Sequence, residues 1–234
     1  MNMTPVLNGE VKNGTRPERV QLPDYNRAEE ITNMVTHIVG GAFAAAAIPM
    51  LVIFGVLRGG VWSIVSGAIY GVTLLIMFTI SSVYHGLPRG RAKRVMRVID
   101  HCDIYFLIAG TYTPILLCAV RPLNPAVAWT IFGIEWALTA IAVTLNAVDL
   151  KRYEKASMTC YIGMGWCVVI FLRYAVEAMT LTGFLLLLSG GIAFTIGAVL
   201  YAIGKRVRYM HCVFHVFVLI GCILQFLSIL LFVM

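Results

Sequence analysis

HCVFHVFVLIGCILQFLSILLFVM, residues 211–234, is the stretch on which the fold turns. It contains no Asp, Glu, Lys or Arg, and about 20 apolar residues suffice for a helix to cross the ~30 Å hydrocarbon core of a bilayer. Its first turn holds His211 and His215, four positions apart and therefore on one face of the helix. That spacing suits two imidazoles sharing one metal ion. It equally suits two interfacial histidines bonded to headgroups or to neighbouring helices. What the rest of the chain brings to the same depth decides between them.

Working outward, comparable apolar segments occur at about 34–57, 61–87, 99–120, 125–148, 157–177 and 183–204. With 211–234 they predict an all-α integral membrane protein, a seven-transmembrane helix bundle. Composition agrees: the chain is 60% hydrophobic and 12% charged, against roughly half and a quarter in soluble domains. Its mean hydropathy is +0.87. The gaps between segments leave no room for a second domain, so residues 28–234 form one membrane domain. Residues 1–27 scatter Pro5, Gly9, Gly14, Pro17 and Pro23 among polar side chains and read as a mobile cytoplasmic tail. No early apolar run precedes a cleavage site, so no signal peptide is expected. The net charge of +7 lies in short clusters between apolar runs, which argues against a nucleic-acid partner. Cys102, Cys118, Cys160, Cys167, Cys212 and Cys222 form no C-x-x-C pair and read as small buried apolar residues.

The basic clusters set the orientation. Lys12, Arg16, Arg19 and Arg27 precede the first segment, and Arg89, Arg91, Lys93, Arg94 and Arg97 follow the second. Lys151, Arg152 and Lys155 follow the fourth, and Lys205, Arg206 and Arg208 the sixth. Only Arg58, Arg121 and Arg173 fall on the other side. The positive-inside rule then puts the N-terminus in the cytoplasm and the C-terminus outside, in a multi-pass protein of the plasma membrane. Gly67 with Gly71, and Ala193 with Gly197, are small-xxx-small spacings that let helices approach closely. Pro49 and Pro114 are candidate kinks.

Orientation assigns depth. Ser81 and His85 lie one turn apart at the inner end of the second helix. Asp100, His101 and Asp103 open the third, and His211 and His215 open the seventh. Glu30, Asn33 and His37 give the first helix a polar face in the same leaflet. All five histidines thus share one depth, where ionisable groups are functional candidates. His85, His211 and His215 with an open fourth position describe a catalytic zinc site. Asp100 is placed to hold water or orient a ligand, and Ser81 to donate toward a developing oxyanion. Zinc lowers the pKa of water to ~7. The plainer alternatives are that Ser81 caps its own helix and that Asp100 pairs with Arg94 or Arg97. His101 points roughly 100° away from Asp100 and reads as an interfacial or outer residue; Cys102 and Cys212 lie off the histidine face.

Glu30-x-x-Asn33-x-x-x-His37, Ser81-x-x-x-His85, Asp100-His101 with Ala109-Gly110-Thr111-Tyr112-Thr113-Pro114, and His211-x-x-x-His215 occur in order along residues 28–234. In this the chain resembles the bacterial hemolysin III proteins of the progestin and adipoQ receptor superfamily. The resemblance implies seven helices, a cytoplasmic N-terminus and an inner-leaflet zinc ion on His85, His211 and His215, with Asp100 reaching it through water. The related alkaline ceramidases imply zinc-dependent hydrolysis of a lipid amide or ester, with membrane lipids as partners and a role in membrane-lipid or membrane-energetics homeostasis. The alternatives are a zinc-stabilised, receptor-like regulator without turnover and a channel-forming or cytolytic protein. Three residues depart from the family pattern. Asp103 stands where a small residue is usual, Gln225 where many bacterial members have His, and Glu135 lies mid-helix with no counterpart and is costly unless paired. Arg173 and Glu177 are spaced as an i,i+4 pair.

Overall fold

The computed structural model describes residues 20–204 and 206–234; residues 1–19 of the expected tail lie outside the described residues. Helix α1 (Arg27–Phe54) starts where Asn26 and Glu29 form a capping box. The Asn26 carboxamide oxygen accepts the Glu29 N–H, and the Glu29 carboxylate accepts the Asn26 N–H, each at 2.9 Å. Two of the first turn's unpaired N–H groups are thereby satisfied. Helix α2 spans Gly60–Gly86, α3 Arg91–Pro114 and α4 Pro125–Asp149. Helix α5 covers Glu154–Gly165, α6 Leu172–Gly204 and α7 Met210–Phe232. Among the described residues there is no strand.

Five helical runs are long and apolar enough to cross a membrane: Arg27–Gly86, Arg91–Val120, Pro125–Asp149, Glu154–Gly204 and Met210–Phe232. The first and fourth are too long for one straight crossing, since 60 residues at 1.5 Å each would extend about 90 Å. Each is broken internally. Gly60 has φ +70°, a left-handed conformation glycine adopts without a Cβ clash, and it reverses the chain between α1 and α2. Thr180 (φ 64°, ψ 164°) breaks α6, and its hydroxyl accepts the Gly183 N–H at 3.4 Å to restart the helix.

Helices α1 and α2 pack antiparallel. Gly40 leaves room for the Phe78 ring, Gly71 for Ile48 and Gly67 for Leu51, so the partner recedes along α2 as α1 advances. Helices α6 and α7 pair in the same sense through Gly183 against Phe232, Gly190 against Gln225 and Gly197 against Phe214. Helix α7 returns beside α1 in parallel: Tyr209 bonds Glu29, His215 meets Asn33, and Phe43 meets Phe226. The core is built around Leu51, Tyr70, Leu74, Phe78, Ile115, Phe171, Met179 and Ile229.

Leu57, Val61 and Ile170 are more than 70% exposed, while Asn33, His37, Ser81, His85, Asp103, His211 and His215 are buried. Apolar residues outside and polar residues inside suit a solvent of lipid, not water. The expected span 157–177 is interrupted: α5 stops at Gly165 and a tight turn fills Cys167–Phe171. The Tyr112 phenol donates to Gly165 O at 2.8 Å and accepts the Val168 N–H at 3.0 Å, satisfying backbone groups that the break sets free. Pro49 sits within an unbroken α1, whereas α3 ends at Pro114 and widens into π-type turns over Ile115–Val120.

Candidate metal centre

His85 occupies the last turn of α2, and His211 and His215 the first turns of α7. Their ring centroids are 4.6 Å apart for 211–215, 5.0 Å for 85–215 and 5.5 Å for 85–211. One ring nitrogen from each lies within 4.8 Å of the others. Tetrahedral zinc with Zn–N near 2.05 Å needs about 3.3 Å between ligand nitrogens. His211 Nε2 and His215 Nε2 are 3.1 Å apart. The widest gap in the trio, at most 4.8 Å, closes to that spacing with a shift of about 1.5 Å.

The outer nitrogens assign the tautomers. His85 Nδ1 lies 2.7 Å from the Glu30 carboxylate, which as a carboxylate only accepts. His215 Nδ1 lies 3.3 Å from the Asn33 carbonyl oxygen, which also only accepts. Both therefore carry the proton on Nδ1 and turn the Nε2 lone pair inward. His85 Nε2 is buried with no hydrogen-bond partner among the described residues. An imidazole donating outward to a carboxylate or carbonyl while its second nitrogen faces a cluster is the usual support of a metal ligand. On this chemistry the three residues fit a divalent ion.

Glu30 also accepts from Lys93, Oε1 to Nζ at 2.7 Å. The His37 ring is 3.9 Å from that of His215, and neither its nitrogens nor the Asn33 carboxamide finds a hydrogen-bond partner among the described residues. The Asp100 carboxylate lies beside the Ser81 hydroxyl, with the His85 ring and the Arg97 guanidinium nearby. The site therefore brings together His85, His211, His215, Glu30, Asn33, His37, Asp100 and Ser81. His101 turns away, its ring 6.2 Å from Tyr201 and its carbonyl accepting from the Tyr161 phenol. The Cys212 thiol faces Glu29 O and the Cys102 thiol Val143 O. Glu135 is buried in α4 beside Cys167 and outside the cluster.

A cavity of about 630 Å³ adjoins the cluster, within the usual range for a small-molecule site. It runs from Val20–Tyr25 past His37, Ser81, Asp100, Asp103, His211 and His215 to Leu107, Ile115, Val218 and Gln225. One end is polar and the other apolar. Asp103 lies on this wall one turn beyond Asp100, its oxygens buried and without a hydrogen-bond partner among the described residues. Two contributors escape a reading by composition. Tyr25 stacks on His211 with centroids 4.9 Å apart, although it belongs to a segment that reads as tail. Lys93 is 2% exposed, although it stands in a basic cluster that serves the sequence reading only as an orientation signal. Its signal is spacing: Lys93 and Asp100 are i,i+7, on one helical face.

The fold and cluster define a multi-pass helical membrane protein with a triple-histidine centre at one end of an amphipathic cavity. The family model described as Haemolysin-III related matches residues 25–226, and the chain belongs to that family. It is 34% identical to Hemolysin-3 of Bacillus cereus over 88% of this chain and 92% of that protein. It is 35% identical to the Hemolysin-3 homolog of Bacillus subtilis (strain 168), over 87% and 94%. The monocyte to macrophage differentiation factor of Homo sapiens is 26% identical over 67% of this chain and 66% of its own length.

Proposed function

We propose that this protein binds one zinc ion through His85, His211 and His215 and hydrolyses an amide or ester of a membrane lipid that enters the cavity. The observation that carries the reading is the joint arrangement of three inward-facing imidazoles, two with their outer nitrogens committed, and a cavity that is polar beside them and apolar beyond. The bound ion would act as a Lewis acid and ease the ionisation of water. The cavity's apolar end takes a lipid chain and so places the polar linkage next to the histidines. The Ser81 hydroxyl donates to the carbonyl oxygen as charge develops there, and the Asp100 carboxylate takes the proton from the attacking water. The breaks in the first and fourth runs support a reading of seven crossings of the plasma membrane. The basic clusters support an N-terminus in the cytoplasm, and the odd number of crossings in that reading supports termini on opposite sides.

A second reading is a regulator held together by zinc without turnover. It is favoured by the origin of the ligands, one from the α1–α2 hairpin and two from the last helix. Metal analysis and lipid product analysis of protein in nanodiscs separate the two. Wild type is expected to carry about one zinc per chain and to release fatty acid. His215→Ala is expected to lose both. Release that persists in His215→Ala at the wild-type rate removes the hydrolase reading, and zinc without release in wild type selects the regulator.

A further inference from the structure

We propose that Lys93 and Glu30 act as one positioning unit that holds His85 in the single ring orientation a metal ion can use; the inference rests on the metal-binding reading above. An ammonium group has three N–H donors, and three oxygens receive them from Lys93: Glu30 Oε1 at 2.7 Å, Leu87 O at 3.0 Å and His85 O at 3.3 Å. No donor is left over. The two carbonyls belong to the C-terminal end of α2, where carbonyls lack partners within the helix and a positive charge is favourable. Lys93, reaching from α3, thus closes the end of α2 and grips the first turn of α1. The ring of Tyr84 lies 5.1 Å from its ammonium.

Glu30 divides its two oxygens, Oε1 to Lys93 and Oε2 to His85 Nδ1, both at 2.7 Å. It cannot rotate away from His85 without leaving a buried ammonium unpaired, which is costly. Among the described residues the imidazole's one hydrogen-bond partner is the acceptor at Nδ1, so its proton stays there and Nε2 keeps its lone pair for the cluster. Lys93 touches none of the other histidines and acts through Glu30.

This chemistry predicts an unusual ordering of variants. In Glu30→Gln the carboxamide has one acceptor and one donor end. Lys93 claims the acceptor, so the NH2 group faces His85 Nδ1 and drives the imidazole proton onto Nε2, where it blocks the metal. In Glu30→Gln/Lys93→Met the amide oxygen is free to turn toward Nδ1 and restore the useful tautomer. The double variant is therefore expected to bind metal more tightly than Glu30→Gln alone.

The test is Co2+ titration of purified protein in nanodiscs, read by the visible d–d bands of a tetrahedral site and converted to zinc affinity by competition. Relative to wild type, Glu30→Gln is expected to lose about 100-fold in affinity and Lys93→Met about tenfold, the span of partners that orient a ligand. The double variant is expected to lie near Lys93→Met. Gel filtration and thermal unfolding accompany each variant, and Lys93→Gln replaces Lys93→Met if the latter is not monodisperse, with the same ordering expected. A purely structural lysine would lower the unfolding temperature while leaving affinity, spectrum and this rescue unchanged. A double variant no tighter than Glu30→Gln, or a Lys93 variant with wild-type affinity, overturns the positioning unit. Wild type that takes up no Co2+ overturns the metal-binding reading itself.

Discussion

Truncation of Tyr25 isolates what covers the centre. Residues Val20–Tyr25 line one end of the cavity, where Arg89 donates to Pro23 O at 3.2 Å. The Arg89–Asp24 contact spans 3.3 Å between groups 57% and 99% exposed, a surface pair of negligible worth. Tyr25, half-buried, stacks on His211 at 4.9 Å and 21° and lies 6.0 Å from His85. Half the burial of an aromatic ring contributes about 1 kcal/mol, and ring stacking adds about 1 kcal/mol. Removing the ring should raise the open population of the strap by about 30-fold. Chelation of loaded metal by an excess of chromogenic chelator, followed by stopped flow, reads that population directly when opening is fast. Tyr25→Ala should release metal about 30-fold faster, and Tyr25→Phe should stay within about threefold, because it keeps the ring. Burial, with Tyr84 and Tyr201 alongside, pushes the Tyr25 phenol well above its usual range, so the closed strap holds it neutral. Opening is then insensitive to this group below pH ~10 and rises as the exposed phenol ionises above it; Tyr25→Phe lacks that rise. Equal release rates in wild type and Tyr25→Ala would refute the assignment of the strap as the cover.

Three further outcomes follow from packing and charge. Asp103→Asn replaces a buried carboxyl group, without a side-chain partner among the described residues, by an uncharged amide of the same shape and should leave stability unchanged or raise it by about 1 kcal/mol; a fall of several degrees in thermal unfolding would mean that Asp103 is paired. Gly40→Ala drives a methyl group into the Phe78 ring and should cost about 1–3 kcal/mol. Gly40→Ala/Phe78→Leu should recover part of that loss, and two independent, additive losses would rule out the close approach. Asp100→Asn keeps the shape beside Ser81 but cannot take up a proton, so hydrolysis should fall by about 100-fold or more while zinc content is retained; an unchanged rate would remove Asp100 from the chemistry.

The polarity of this chain carries much of its architecture. Apolar runs and their gaps mark the helices, and the gap read at 178–182 contains the break at Thr180, although neither glycine nor proline stands there. The histidines converge because their depths follow from helix direction and four-residue spacing alone. The interruption of α5 was not legible, because the group that stabilises it, the Tyr112 phenol, lies more than 50 positions away. Composition gives no sign of the part played by Lys93 and Tyr25, for one reason. Counts of charge and composition describe a residue by its neighbours in sequence, whereas Lys93 is buried against α1 and α2 and Tyr25 half-covered against α2 and α7. Asp103 is legible as a departure from the family pattern, and its place on the cavity wall only in three dimensions.

The parallel return of α7 beside α1 also has a meaning in time. His85 leaves the ribosome 130 residues before His215, which at 5–20 residues per second amounts to roughly 6–26 s. Through that interval the membrane holds a half-built site, in which His85, Glu30 and Lys93 are already in place while His211 and His215 are still to come. Lys93 follows His85 by only eight positions, so the charges of the early half are neutralised almost as soon as they are inserted. The early half can therefore wait for the last helix with Glu30, Lys93 and His85 already joined, and under the proposed metal-binding reading capture of the ion would be the closing event of assembly.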